Sequence, residues 1–162
     1  MANETLVGHV ADIRLFLETI WPLWHERRGD AVPSPPSRGT CGRSSLFLCE
    51  ALRLGGLECE FAIGNPFDAT GLNRVSPFGF FSGDRWESHA WVHCGGLILD
   101  ITADQFGAPP IIVTSTDDPR YKANQSDVAC PPSIAARHAA VDSVWPQWLT
   151  FRSRRQVPTG EI

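Results

Sequence analysis

Two β-compatible runs, His89-Ala-Trp-Val-His-Cys94 and Leu97-Ile-Leu-Asp-Ile-Thr102, flank the dipeptide Gly95-Gly96. Apolar, β-branched and aromatic residues around two glycines predict a hairpin closed by a two-residue turn. Such a turn dictates the register. Cys94 opposes Leu97, Trp91 opposes Asp100 and His89 opposes Thr102. Directly opposed residues share a face, so His89, Trp91, His93, Ile98, Asp100 and Thr102 point the same way. Asp100 lies diagonally from His89, with Cα atoms roughly 7–8 Å apart, a gap that two side chains can close. A carboxylate beside an imidazole fixes its tautomer and stabilises its charged form. His93 opposes Ile98 and is also diagonal to Asp100, so the register alone leaves both histidines open. Asp104 replaces Asp100 if the register slips.

The remaining chain reads as one α+β domain over residues 1–162, with an N-terminal helix (1–28), a central core (38–114), a C-terminal helical segment (133–151) and a fraying tail (152–162). Leu6, Val10, Ile13, Leu17 and Ile20 recur at three- and four-residue steps, the stripe of a packing helix over 3–28. Asn3 or Thr5 could cap it. Pro22 is expected to break or kink it, leaving Trp21 to His25 as a separate turn. Residues 29–40, with three prolines and two glycines, read as a loop. A second helical pattern covers 41–54, with Cys41, Ser45, Leu48 and Leu52 on one face, and Gly55-Gly56 stops it. Leu57 to Gly64 and residues 110–114 read as strands. Residues 64–88 read as one long loop, its aromatics (Phe67, Phe78, Phe80, Phe81, Trp86) serving as buried anchors or as the rim of a cleft. Residues 115–132 read as polar loop, and the helical pattern over 133–151 is interrupted near Pro146.

A carboxylate–imidazole pair acquires chemistry when a nucleophile joins it. The five cysteines, at 41, 49, 59, 94 and 130, are odd in number, irregularly spaced and include no CxxC pair, which disfavours a disulfide scaffold and favours a reducing compartment. Cys41 alone follows a glycine-containing loop and opens a helix. The unpaired N–H groups and dipole there favour a thiolate and suit an oxyanion. Cys49, Cys59, Cys94 and Cys130 lack that context and read as packing residues. His9, His25 and His138 read as surface or helix residues. Trp91 and Gln105 are the candidate substrate contacts, the first by sharing the hairpin face and the second by offering an amide. Zinc on Cys41, His89, His93 and Asp100 is disfavoured, because two histidines four residues apart on a strand stand roughly 13 Å apart. No cofactor is required.

The net charge of -4 argues against nucleic acid as the main partner. No apolar run approaches the roughly 20 residues that span a bilayer, so no membrane partner is expected. Met1-Ala2-Asn3-Glu4 lacks the basic start of a signal peptide. A cytoplasmic location is therefore expected, with secretion by a route that reads no N-terminal signal left open.

Gly39-Thr-Cys41, Arg43-Ser44, the helix Leu46 to Leu54, Gly56 and Ile63-Gly64 resemble the nucleophile half of transglutaminase-like, papain-like cysteine proteins. Ser88-His-Ala-Trp-Val92, Gly95-Gly96 and Leu99-Asp100 resemble their His and Asp half. The short pattern is most similar to that of bacterial lasso-peptide leader peptidases and, more loosely, to arylamine N-acetyltransferases. The resemblance covers roughly residues 38–106, and the stretch Asp100 to Gly107 departs from the leader-peptidase pattern. It implies a papain-like core whose nucleophile-bearing helix packs on an antiparallel sheet, and a catalytic triad of Cys41, His89 and Asp100. The implied activity is cysteine-dependent amide hydrolysis or acyl transfer, as a peptidase or amidase acting on a peptide or protein through a thioester. Protein-glutamine deamidation and transamidation use the same triad and remain open, as does a catalytically silent peptide-binding module. Neither oligomeric state nor the identity of the substrate follows from the residues.

Overall fold

In a computed structural model the backbone is described for residues 2–68, 70–82, 85–123 and 131–156, and the side chains of 2–4, 80–82, 85–87, 131 and 156 lie outside the description. Helix α1 (Ala2–Arg27) is followed by α2 (Cys41–Leu54), β1 (Cys59–Gly64), β2 (Phe80–Ser82), β3 (Arg85–Glu87), β4 (His89–Cys94), β5 (Leu97–Asp100) and β6 (Ile112–Ser115). Two further helices, α3 (Pro131–Asp142) and α4 (Trp145–Gln156), complete the mixed α+β arrangement. The main sheet is antiparallel, in the order β1-β4-β5-β6.

The central hairpin has the expected register, Cys94 opposite Leu97, His93 opposite Ile98 and Val92 opposite Leu99. Gly95 and Gly96 have φ of 58° and 78°, the left-handed values that a tight hairpin turn demands. Alternation along β4 and β5 feeds two separate cores. Val92, Cys94 and Leu99 join α1, α2 and the C-terminal helices in the larger one, with Leu17, Trp21, Phe47, Leu48 and Trp148. Trp91 and Ile98 face the other way, onto Phe78, Ala103, Ile112 and Tyr121. The sheet thus carries helices on one face and loops on the other, and β4 is buried on both.

Helix α2 lies on the sheet, where the Ser45 hydroxyl donates to the Ala90 carbonyl at 2.9 Å. It begins at Cys41 and ends at Gly55-Gly56, where Gly56 has φ 84°. Strand β1 starts at Cys59 rather than Leu57, which is 38% exposed and makes no ladder.

Three expectations need correction. Pro22 does not interrupt α1, which runs on to Arg27. Ile20, Trp21 and Trp24 are all at most 2% exposed, and burying such side chains at about 1.5–3 kcal/mol each outweighs a proline penalty of about 3 kcal/mol. The segment 64–88 is not all loop, since β2 and β3 pair as a short second sheet with Phe81 opposite Trp86. Strands of three residues carry too little periodicity to stand out from a Gly- and Pro-rich context. Helix α4 extends to Gln156, so residues 152–156 do not belong to a tail. The break near Pro146 is where expected, between α3 and α4, with Pro146 in the first turn of α4 where its missing N–H costs nothing. Cys130 and residues 157–162 lie outside the described residues. Among the described residues no helix is long and apolar enough to cross a membrane.

Candidate active site

His89 opens β4 and Asp100 closes β5, so both sit at one end of the sheet on its loop-covered face. The imidazole Nε2 and the carboxylate Oδ2 are 2.6 Å apart, and neither residue is exposed to solvent. The second oxygen, Oδ1, accepts the Thr102 N–H at 2.9 Å. Tyr121 Oη donates to Oδ2 at 3.0 Å. The diagonal pairing read from the hairpin is therefore present.

Aromatic rings seal the pair. Phe106 stands edge-on to the His89 ring at 5.0 Å, with Phe78 at 5.5 Å and Trp91 at 6.1 Å. Burial opposes charge on His89, but the Asp100 carboxylate outweighs it, and with a contribution from Cys41 raises the imidazole above its ordinary value of 6.5. Burial likewise opposes charge on Asp100, and the His89, Thr102 and Tyr121 hydrogen bonds together hold it below its ordinary 3.8. The pair is thus poised as imidazolium and carboxylate.

With Nε2 committed to Asp100, the ring's other nitrogen is Nδ1. It is buried and has no partner at full hydrogen-bond geometry. Cys41 is near enough to the ring to contribute to raising the imidazole. A buried imidazole nitrogen left without a firm partner beside a thiol is an arrangement suited to proton exchange with sulfur. The Cys41 thiol donates to the Ser88 carbonyl at 3.7 Å, which places it next to the residue that precedes His89.

Cys41 also differs from the other described cysteines in access. It is half-buried, whereas Cys49, Cys59 and Cys94 are buried. Burial pushes the Cys49 thiol up, and burial together with a Cys94 hydrogen bond pushes Cys59 up. Both are kept as neutral packing groups.

The loop 29–40 delivers Cys41 to this place and is tied down at several points. His25, on α1 but buried, bonds through Nε2 to the Pro36 carbonyl at 2.9 Å. Ser37 donates to Asp104 at 2.7 Å, and Asp104 in turn pairs with the buried Arg14 at 2.8 Å. Arg14 also donates to the carbonyls of Ile101 and Pro110. A donor chain runs from Trp21 Nε1 to Ser44 Oγ at 2.9 Å, from Ser44 to Thr40 Oγ1 at 3.0 Å, and from Thr40 to the Ser37 carbonyl at 2.7 Å. The Thr40 hydroxyl donates to Ser37 and meets the Ser44 hydroxyl, and it makes no side-chain cap on α2. The helix start is thereby left without the usual occupant of its first-turn N–H groups.

The geometry separates the alternatives left open by the spacing. His93 accepts the Trp91 indole N–H at 2.9 Å and is not the partner of Asp100. Asp104 belongs to Arg14 and Ser37. Trp91 is 2% exposed and packs against Tyr121 at 5.2 Å, in the position of a core residue. Gln105 has both ends of its amide engaged, Oε1 with the Gly39 N–H at 3.2 Å and Nε2 with the Thr102 carbonyl at 2.8 Å. It fastens the loop before Cys41 to the turn after Asp100. Of the long-loop aromatics, Phe78 is a buried anchor over His89 and Phe67 is half-buried, while the side chains of Phe80, Phe81 and Trp86 lie outside the described residues. Among the described residues no group of three or more His, Cys, Asp or Glu is placed to hold a metal ion. Thr102 stands on the hairpin face as expected but serves Asp100 through its backbone N–H, and Tyr121 and Arg14 carry no local pattern that marks them. Tyr121 is the single tyrosine of the chain and stands in a segment read only as polar loop. Compared with known proteins, the chain matches no family model, no curated protein and no solved structure.

Proposed function

We propose that the protein is a cysteine-dependent amide hydrolase or acyl transferase of papain-like or transglutaminase-like type, acting on a peptide or protein. The observation that carries this reading is the buried His89–Asp100 bond of 2.6 Å, with a half-exposed Cys41 whose thiol bonds to the carbonyl of Ser88, the residue before His89. In the reaction, Cys41 Sγ attacks the amide carbonyl carbon and its proton resides on His89. The developing oxyanion is met by N–H groups at the start of α2. His89 passes its proton to the leaving amine as the C–N bond breaks, giving a thioester. Asp100 holds His89 in the required orientation throughout. Water then attacks the thioester, with His89 as base, to release the acid and regenerate the thiol. No cofactor or metal enters these steps, and the reading places the enzyme in a reducing compartment such as the cytoplasm.

The test is a covalent trap. Peptide and protein amides are incubated with the enzyme, and adducts on Cys41 are sought by mass spectrometry. An acyl adduct on Cys41, absent from Cys41→Ala, is expected. Alkylation by iodoacetamide at pH 6 supplies a substrate-free control, with Cys41 expected to outpace Cys49 and Cys94. Equal rates at all three thiols would contradict the proposal. The triad does not encode what resolves the thioester, so free acid, a deamidated glutamine or a new crosslink among the products assigns the reaction subclass.

A further inference from the structure

Tyr121 reaches the site from a segment that has no other evident reason to be there. Residues 116–123 leave the end of β6 and cross the loop-covered face of the sheet. The segment turns at Asp118, which accepts the Tyr121 N–H at 3.1 Å, and Asp118 is clamped to Arg120 at 2.6 Å. Ser76 secures it from the opposite side by donating to the Arg120 carbonyl at 2.6 Å. It passes over β1 at Gly64, the residue directly across the sheet from His89. A Cβ at Gly64 would collide with the Lys122 carbonyl oxygen and would lie 2.8 Å from Trp91 Cη2. The strand opposite the histidine therefore lacks a side chain where this strap needs the space.

What the strap brings is one hydroxyl. The Tyr121 ring is 5% exposed and packs between Phe78 at 5.1 Å and Trp91 at 5.2 Å, a role phenylalanine would fill as well. The hydroxyl adds a bond to Asp100 Oδ2, the same oxygen that receives His89. Burial first, and then the Asp100 carboxylate, push the phenol above its ordinary value of 10, so it stays a protonated donor. With Thr102 on Oδ1, the carboxylate is pinned at both oxygens and cannot rotate away from the imidazole.

We propose that Tyr121 is a positioning residue, whose hydroxyl fixes the Asp100 carboxylate in the orientation that holds His89 for Cys41. The inference rests on the reading of Cys41, His89 and Asp100 as the catalytic set. Tyr121 acts on the reaction only through Asp100. The titratable and charged groups around Asp100 are His89 from β4, Tyr121 and Arg120 from the strap and, beyond the ring, Cys41 from α2.

The test is Tyr121→Phe, which retains the ring and deletes the bond. Two readouts follow it without any substrate: the His89 imidazole resonances by NMR across pH, and the pH profile of Cys41 alkylation by iodoacetamide. Loss of the donor leaves the carboxylate less stabilised, so it takes up a proton at higher pH. The acid limb of the alkylation profile is expected to move towards neutral by about one pH unit, with about a tenfold loss of rate on that limb. The His89 Nε2–H resonance is expected to shift. Gly64→Ala, which displaces the strap and leaves Tyr121 itself unchanged, is expected to act in the same direction. If Tyr121→Phe lowers the melting temperature while its resonances and pH profile coincide with wild type, Tyr121 only packs and the inference is wrong. If wild-type Cys41 alkylates no faster than Cys49 and Cys94, the catalytic reading fails instead, and the His89 resonances alone still decide whether Tyr121 orients Asp100.

Discussion

Asp100→Asn isolates the charge at the centre of the site while preserving shape. In wild type, Oδ2 accepts from His89 at 2.6 Å and from Tyr121 at 3.0 Å, and Oδ1 accepts from the Thr102 N–H at 2.9 Å. The asparagine oxygen can retain the Thr102 bond, and then its NH₂ group faces two donors. Two bonds to a charged group, each worth about 1.5–3 kcal/mol, are lost. His89 can shed its proton in response, which spares the protein an unpaired buried charge and holds the net cost to about 3 kcal/mol. At about 2–4 °C per kcal/mol for a chain of this length, the melting temperature should fall by about 6–12 °C. The functional loss is larger for a different reason. The amide NH₂ donates to Nε2 and drives the ring proton onto Nδ1, the nitrogen that serves Cys41 in the proposed mechanism. An imidazole in the wrong tautomer cannot accept the thiol proton, and a fall on the order of ten-thousandfold in turnover is expected. The assay pairs thermal denaturation with the rate of Cys41 carboxymethylation at pH 6, read by mass spectrometry. A variant that is folded and alkylates Cys41 at the wild-type rate with the wild-type pH profile would refute the reasoning.

Cys41→Ala should abolish adduct formation yet shift stability by no more than about 1 kcal/mol, because the side chain is half-buried and ends beside a backbone carbonyl, as a denaturant titration would register. Stability should follow pH through the buried pair. The raised His89 value contributes in full below its ordinary 6.5 and is lost as pH rises through the native value, while the lowered Asp100 value contributes above its ordinary 3.8 and is lost as pH falls through its native value. A melting-temperature profile whose alkaline decline persists unchanged in Asp100→Asn would contradict that assignment. Arg14→Ala removes the cation paired with the largely buried Asp104 and should cost about 3–5 kcal/mol in chemical denaturation, with slower Cys41 alkylation because Ser37 loses its anchor. Gly64→Ala should destabilise by about 1–3 kcal/mol, as the strap and Trp91 move to admit one methyl group, and hydrogen exchange should quicken in residues 116–123.

Much of this fold is legible because it obeys short periods. The stripe from Leu6 to Ile20 is buried from Val10 onwards, the helix starting at Cys41 ends at the paired glycines, and the Gly-Gly turn sets the hairpin register. What misled was local reasoning about one residue. Pro22 is a helix breaker in isolation, but two tryptophans buried beside it outweigh its penalty. His25 looks like a surface helix residue until the 29–40 loop folds back onto it. The strands β2 and β3 are too short to carry a period at all.

The candidate site divides along the same line. From the chain alone came a carboxylate set diagonally to a histidine, and a cysteine at a helix start. Both follow from spacings of two and 3.6 residues, which depend on neighbours within a few positions. The hairpin register leaves His89 and His93 both open and the family resemblance favours His89; the side-chain contacts separate them, since Asp100 bonds to His89 across the strands while the Trp91 indole engages His93. The engagement of Gln105 with Gly39, and the arrival of Tyr121 over a glycine on another strand, required tertiary contacts. Residues 41, 89 and 121 are brought to one place by helix-on-sheet packing and a crossing loop, and such contacts arise from which surfaces bury each other, a property that no local stretch of sequence contains.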